Sequence, residues 1–337
     1  MSAPRLQTLR RRRVALLGVW LALIGAMAVA SDAQAPPLRA ARWLPPERMQ
    51  RALTERPPAC QVAAETPEIA ERIAIGRAAF RTPLLLGGQA ARAGLACDSC
   101  HRNGRNNPDF AFPGISGEPG TADVTSALFS SHRGDGVFNP RPIPDLAGSP
   151  AQLKVPRDRE SGALERFIHG LIVEEFDGPE PSAATLDGLA EYVRHQRPTA
   201  CTESAPEPLR AARYFDDARA ALAAARIADA HHDAATARLM VASARTALGL
   251  IAERFQGTSG HAARAALADA SQRLADIQQA IDAHDGDVGP RIDRWLTDLA
   301  PLSTRIAHDE AHSQFEPAVL ATWLKSLPAA TTAPHAR

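Results

Sequence analysis

Residues 97–101 read Cys-Asp-Ser-Cys-His, and no other short stretch constrains this chain as tightly. Two thiols three residues apart, with an imidazole directly after the second, serve one of three chemistries. They form a redox dithiol, supply half of a zinc site, or anchor a covalently attached haem with the histidine beneath the iron. The compartment helps to decide among them, so the N-terminus is read next.

Arg10 to Arg13 form a positive segment, Val14 to Val29 an apolar one, and Ala28-Val29-Ala30 a small-x-small site. This pattern is that of a secretory signal peptide over residues 1–30, cut near Ala30, and it implies a periplasmic location. The alternative is an uncleaved anchor, for which the apolar run falls short of the ~20 residues a span requires. No other segment is apolar enough, so no stable membrane span is expected after cleavage. The chain carries 38 Lys+Arg against 38 Asp+Glu, and the only charged residues in 1–30 are Arg5 and Arg10 to Arg13. The mature chain is therefore mildly acidic, which leaves no electrostatic case for nucleic acid.

The four cysteines are Cys60, Cys97, Cys100 and Cys201. A structural zinc site needs two further ligands at motif spacing, and the chain has no second CxxC or HxxxC pair. A redox dithiol opens a helix after a strand. The residues before Cys97, "TPEIAERIAIGRAAFRTPLLLGGQAARAG", read instead as a helix followed by a loop. The remaining reading is one covalent haem c: Cys97 and Cys100 add to its vinyl groups, and His101 is the proximal iron ligand.

In the segment "EIAERIAIGRAAF", Ile69, Ile73, Gly76 and Phe80 share one helical face. In "TLDGLAEYVRHQRP", Leu186, Leu189, Tyr192 and Val193 do the same. Two such helices can cross closely at Gly76, with Phe80 and Tyr192 filling the crossing, as in class I cytochromes c. Two unrelated amphipathic helices would carry the same pattern. The run "AIGRAAFRTPLLLGG" followed by "GLACDSCHRNG" resembles the N-terminal haem segment of the bacterial di-haem cytochrome c peroxidase and methylamine-utilisation peroxidase-like family. The resemblance covers about residues 70–105, and more loosely the segment to about 198. It implies haem chemistry with hydrogen peroxide. Members of that family carry a second CxxCH, whereas this chain has one, so a two-haem relay within the chain is not implied.

The sixth iron position is open to three readings. No methionine lies between His101 and Thr185, which removes the usual ligand of class I cytochromes. His132, in the Gly- and Pro-rich "SALFSSHRGDGVFNPRPIPDL", is the candidate best placed to swing over the haem. His169, in "GALERFIHGLIVEEF", reads as a core residue, and an open position is the third case. A closed iron suits an electron carrier serving a redox protein partner. An open iron with a nearby acid (Glu118, Asp123, Asp135 or Asp145) suits a peroxidase-like enzyme, and a ligand sensor would need the same opening.

Cys60 and Cys201 flank the two crossing helices, so an oxidising compartment favours a disulfide between them. Beyond residue 204 the chain becomes Ala-rich with four periodic segments, near 207–228, 233–256, 261–283 and 290–312. Leu267, Ala270, Leu274, Ile277 and Ile281 form one seam, and Pro301 marks a candidate kink. His261, His308 and His312 fall at one end of these segments, an arrangement commoner at exposed helix ends than in metal sites. The expected fold is all-α: a class I cytochrome c-like haem domain over 61–203, followed by an up-down four-helix bundle over 204–330. An extended arm over 31–60 precedes them and a disordered tail over 331–337 ends the chain.

Overall fold

The capping residues set where the main helices begin. Thr66 Oγ1 accepts a hydrogen bond from Ile69 N at 3.3 Å, and Pro67 takes a first-turn position that needs no amide donor. Ser182 caps Thr185 N at 3.1 Å, and Asp233 caps Thr236 N at 2.9 Å. The structure, a computed structural model, describes residues 38–327 apart from 126, 150–152 and 202–205. The expected signal peptide and C-terminal tail lie outside the described residues.

The described chain is mostly helical. Its helices are α1 (Pro46–Thr54), α2 (Pro67–Phe80), α3 (Gly88–Ala93), α4 (Cys97–Cys100), α5 (Ala163–Gly170) and α6 (Ala183–Arg194). The long helices α7 (Ala211–Ala230), α8 (Ala234–Ala252), α9 (His261–Asp282) and α10 (Val288–Asp309) follow, and then α11 (Pro317–Ser326). Four two-residue strands pair antiparallel, β1 (Glu55–Arg56) with β4 (Glu207–Pro208) and β2 (Thr121–Ala122) with β3 (Arg141–Pro142). No helix among the described residues is long and apolar enough to cross a membrane.

Helices α2 and α6 meet at two glycines. A Cβ on Gly76 would stand 1.9 Å from the Gly188 carbonyl oxygen, and one on Gly188 would stand 2.8 Å from the Arg72 carbonyl oxygen. Only hydrogen at both positions permits this approach. One turn on, the rings of Phe80 and Tyr192 are 5.0 Å apart and tilted by 56°. The phenol is buried.

The four long helices pack in chain order, α7 on α8, α8 on α9 and α9 on α10, and α10 returns to α7. Leu267, Ala270, Leu274, Ile277 and Ile281 are all buried, and Trp295 of α10 donates its indole N–H to the Ala270 carbonyl at 2.9 Å. Pro301 lies inside α10. Helix α2 packs on α7 and α8 as well as on α6. One hydrophobic cluster consequently runs from Ile73 and Tyr192 through Phe215 and Met240 to Leu274 and Trp295. The division expected at 203/204 does not separate two cores.

The stretch expected as an extended arm is helical over Pro46–Thr54. Its prolines explain the difference. Pro45 is the N-cap residue and Pro46 begins the helix, the positions where a missing amide proton costs nothing. Met49, Ala52 and Leu53 are buried, and they join Trp43, Phe110 and Leu320 of α11 in a second cluster. Residues 55–56 then pair with 207–208, and residues 60–62 run beside 195–197. Glu55 lies opposite Pro208, and Val62 N donates to the His195 carbonyl at 2.9 Å. The Cys60–Cys201 disulfide, between residues 141 apart in sequence, closes this seam. For a loop of that length the chain-entropy model gives about 5 kcal/mol of stabilisation.

Candidate functional site

The CxxCH motif forms the single turn α4 and the step out of it. Ser99 Oγ accepts from Ala96 N at 3.1 Å at its start, and His101 N donates to the Cys97 carbonyl at 2.8 Å at its end. The chain leaves the turn through Asn103, a buried residue in the left-handed region at φ 55°. Asn103 N donates to Asp98 Oδ1 at 2.8 Å, and its Nδ2 donates to the Pro57 carbonyl at 3.0 Å. Asn107 Nδ2 donates to the Ser99 carbonyl at 2.8 Å. The motif is thus held by its neighbours on both sides.

His101 has a defined tautomer. Its Nδ1 lies 3.1 Å from the Pro144 carbonyl oxygen. A carbonyl only accepts, so Nδ1 carries the proton and Nε2 keeps its lone pair. Burial pushes the imidazole pKa down to about 4, against the opposing pull of the Pro144 carbonyl and Asp145, so the ring is neutral at physiological pH. The Phe80 ring, at 6.4 Å from the imidazole centroid, backs it from the helix crossing.

Cys97, Cys100 and His101 line one cavity of about 220 Å³. That is roughly fifteen times the space a single water needs, so it is no packing defect. Its wall is almost wholly apolar, drawn from Phe110, Ile115, Phe129, Ile143, Leu164 and Ile172 among others. Leu171 and Ile172 belong to a π-helical turn, Leu171–Glu175, that continues α5. The polar exceptions on the wall, apart from His101, are Arg141, Lys154 and Arg157. Lys154 Nζ lies 6.0 Å from the Phe167 ring centroid, and Arg157 donates to the Gln196 carbonyl at 2.7 Å.

Burial pushes the Cys97 thiol up to about 12 and raises Cys100 as well, with Cys97 adding to the effect there. Both are free thiols. A redox dithiol or a zinc thiolate depends on the opposite shift. Among the described residues no group of three or more His, Cys, Asp or Glu side chains is placed to hold a metal ion, and this includes His261, His308 and His312.

The two candidates for the sixth iron position are elsewhere. His132 is not among the residues lining the cavity; its side chain is 62% exposed and its Nδ1 lies 3.1 Å from Asp177 Oδ1. The loop composition that makes His132 mobile in sequence terms says nothing of this partner, 45 residues away. Asp177 also accepts from Ser131 N at 2.9 Å, and these bonds, outweighing desolvation, hold its carboxyl below the usual range. His169, expected in the core, is partly exposed and pairs with Glu180 at 2.9 Å. It lies on the polar side of α5, opposite the buried Leu164.

None of the acids expected near the iron lines the cavity. Asp145 pairs with Arg105 at 2.7 Å, and Asp123 accepts from Thr125 Oγ1 and Asn139 N. Glu118 and Asp135 are exposed. Residues the sequence did not single out are Pro144, whose contribution is a backbone oxygen, and the pair Glu175 and Asp177. Glu175 is buried beside Arg133, and burial raises its carboxyl pKa. Lys154 did carry a signal, as one of only two lysines among 38 basic residues. Comparisons with protein-family models, with curated proteins and with solved structures found no match to this chain.

Proposed function

We propose that the chain is an exported, periplasmic c-type cytochrome that carries one covalent haem and passes electrons to or from a redox protein partner. Cys97 and Cys100 would hold the haem through thioethers, and His101 Nε2 would ligate its iron. The observation that carries this reading is the His101–Pro144 hydrogen bond at 3.1 Å, which frees Nε2 on the wall of an apolar cavity that both thiols share. The donor set fits the group in two further ways. The thiols are free and unpaired, as addition to vinyl carbons requires, and Arg141 and Arg157 match the carboxylate side groups of haem. When bound, haem supplies a one-electron couple; the chain orients the ligand and keeps water from the iron with its apolar wall. The class I cytochrome-like arrangement of α2, α4 and α6, and the reading of α7 to α10 as an up-down bundle, belong to this proposal. The Cys60–Cys201 disulfide supports the exported location.

A second reading has its own observation. Phe129 and Phe176 line the cavity with rings 5.6 Å apart, and in the adjoining chain segments His132 Nδ1 lies 3.1 Å from Asp177 Oδ1. A carboxylate–imidazole pair one and three residues along the chain from the cavity wall suits proton delivery, so a peroxidase-like enzyme acting on hydrogen peroxide is the alternative. Optical spectra of the protein expressed with haem-attachment machinery separate the two. The carrier, with His132 released from Asp177 to close the iron, is low-spin when ferric and does not bind carbon monoxide when reduced. Rapid carbon monoxide binding with peroxide turnover would replace the carrier with the enzyme.

A further inference from the structure

Behind the CxxCH turn lies a second cavity, of about 150 Å³. It lies between the motif, α1, α2 and the long helices α7 and α8. Its wall includes Arg39, Arg56, Arg77, Arg81, Arg102 and Arg254. Against these six guanidiniums stand three carboxylates: Asp98 and Asp217 on the wall, and Glu253 behind it, paired with Arg39. The excess is three positive charges. Asp217 alone is shared by Arg77 at 2.8 Å, Arg81 at 2.8 Å and Arg56 at 3.7 Å. Arg102 and Arg254 make no ion pair among the described residues. Arg102 donates to the Glu55 carbonyl at 2.7 Å, and Arg254 to the Leu53 and Gln314 carbonyls at 2.9 and 3.0 Å. Neutral carbonyls satisfy donors but do not balance charge. Arg81 Nε is buried with no hydrogen-bond partner, and its ion-pair partner Asp98 Oδ1 stands 3.7 Å away.

Buried charge without a counter-charge is expensive, and guanidinium forks are shaped for oxyanions. The cavity is on the order of ten times larger than one water requires, which leaves room for a polyatomic anion. We propose that this arginine-walled cavity binds a small oxyanion of the phosphate class, seated behind the CxxCH turn. The site is independent of the haem reading, because it uses neither the thiols nor His101.

The test titrates inorganic phosphate into the intact protein in phosphate-free buffer of low ionic strength, followed by calorimetry and by thermal unfolding. One saturable site is expected, with the melting midpoint rising as phosphate is added. Arg102→Gln, with an unchanged circular dichroism spectrum, should weaken binding about tenfold or more. Asp217→Asn should do the reverse. It should melt lower than wild type without phosphate, bind phosphate about tenfold tighter, and recover more of its midpoint on addition. A structural arginine cluster holding no anion would give no saturable heat and no midpoint shift in the wild type, and that overturns the proposal. So does wild-type affinity in a folded Arg102→Gln. If Arg102→Gln does not fold, Asp217→Asn decides, and affinity equal to or weaker than wild type overturns the proposal.

Discussion

Gly76→Ala adds one carbon at the tightest point of the fold. The new Cβ would stand 1.9 Å from the Gly188 carbonyl oxygen and 2.3 Å from its carbon. Ordinary contact begins near 3.4 Å, so α2 and α6 must separate by roughly 1.5 Å at the crossing. The obstacle is backbone, which no rotamer change relieves. A gap of 0.5–1 Å already forfeits about a quarter to a half of each van der Waals contact. Phe80, Ile73, Leu189 and Tyr192 all pack in this region. Overpacking typically costs about 1–3 kcal/mol, and the added loss of contacts places Gly76→Ala at about 3–5 kcal/mol. For a chain of this size that is a fall in Tm of roughly 5–8 °C. Gly188→Ala, whose Cβ would meet the Arg72 carbonyl oxygen at 2.8 Å and Gly76 N at 2.9 Å, should cost less. Urea unfolding followed by circular dichroism measures both. A Gly76→Ala protein within about 1 kcal/mol of wild type would refute the close crossing.

Three further outcomes follow from the geometry. Replacing Cys60 and Cys201 together by serine should cost about 2–5 kcal/mol, and non-reducing digestion of the wild type should yield a Cys60–Cys201 cross-linked peptide; both thiols alkylating without reductant would contradict this. His169→Ala should cost less than about 1 kcal/mol, since its pair with Glu180 is on the surface; a large loss would return it to the core. Asp217 concerns acid stability: burial pushes its carboxyl up, but Arg81, Arg56 and Arg77 outweigh that and hold it below its ordinary 3.8. Its folded value is depressed, so its contribution is fully present above the unfolded value and lost only as pH falls below it. Asp217→Asn should therefore be less stable than wild type at neutral pH, and the gap should narrow in strong acid; a gap that is constant with pH would refute the charge network.

Period and capping made much of this architecture legible. The four long helices begin and end within a few residues of the periodic segments, because Leu267, Ala270, Leu274 and Ile277 recur at helical spacing over a stretch with no competing signal. The Cys60–Cys201 pairing was legible because only two cysteines lie outside the motif. Other features depend on tertiary placement that no local pattern records. Gly188 sits beside Asp187 in "TLDGLAEYV" and marks the crossing only once α2 lies against it. The Pro144 oxygen is backbone, so no residue type announces it. The direction His132 takes was not legible because a flexible loop permits many, and Asp177 selects one. Helix α1 was hidden by Pro45 and Pro46, which read as extended chain but cap and start a helix. The arginine cavity draws on residues from 39 to 254, and in an arginine-rich sequence none of them stands out.

The most direct measurement is the intact mass of the mature protein expressed with haem-attachment machinery, taken with its pyridine haemochrome spectrum. The expected result is a gain of one haem and the band of a doubly thioether-linked haem, with Cys97→Ser or Cys100→Ser shifting that band to the singly linked form. A wild-type chain of unmodified mass, colourless and with Cys97 and Cys100 both free to alkylation, would contradict a covalent haem at this site.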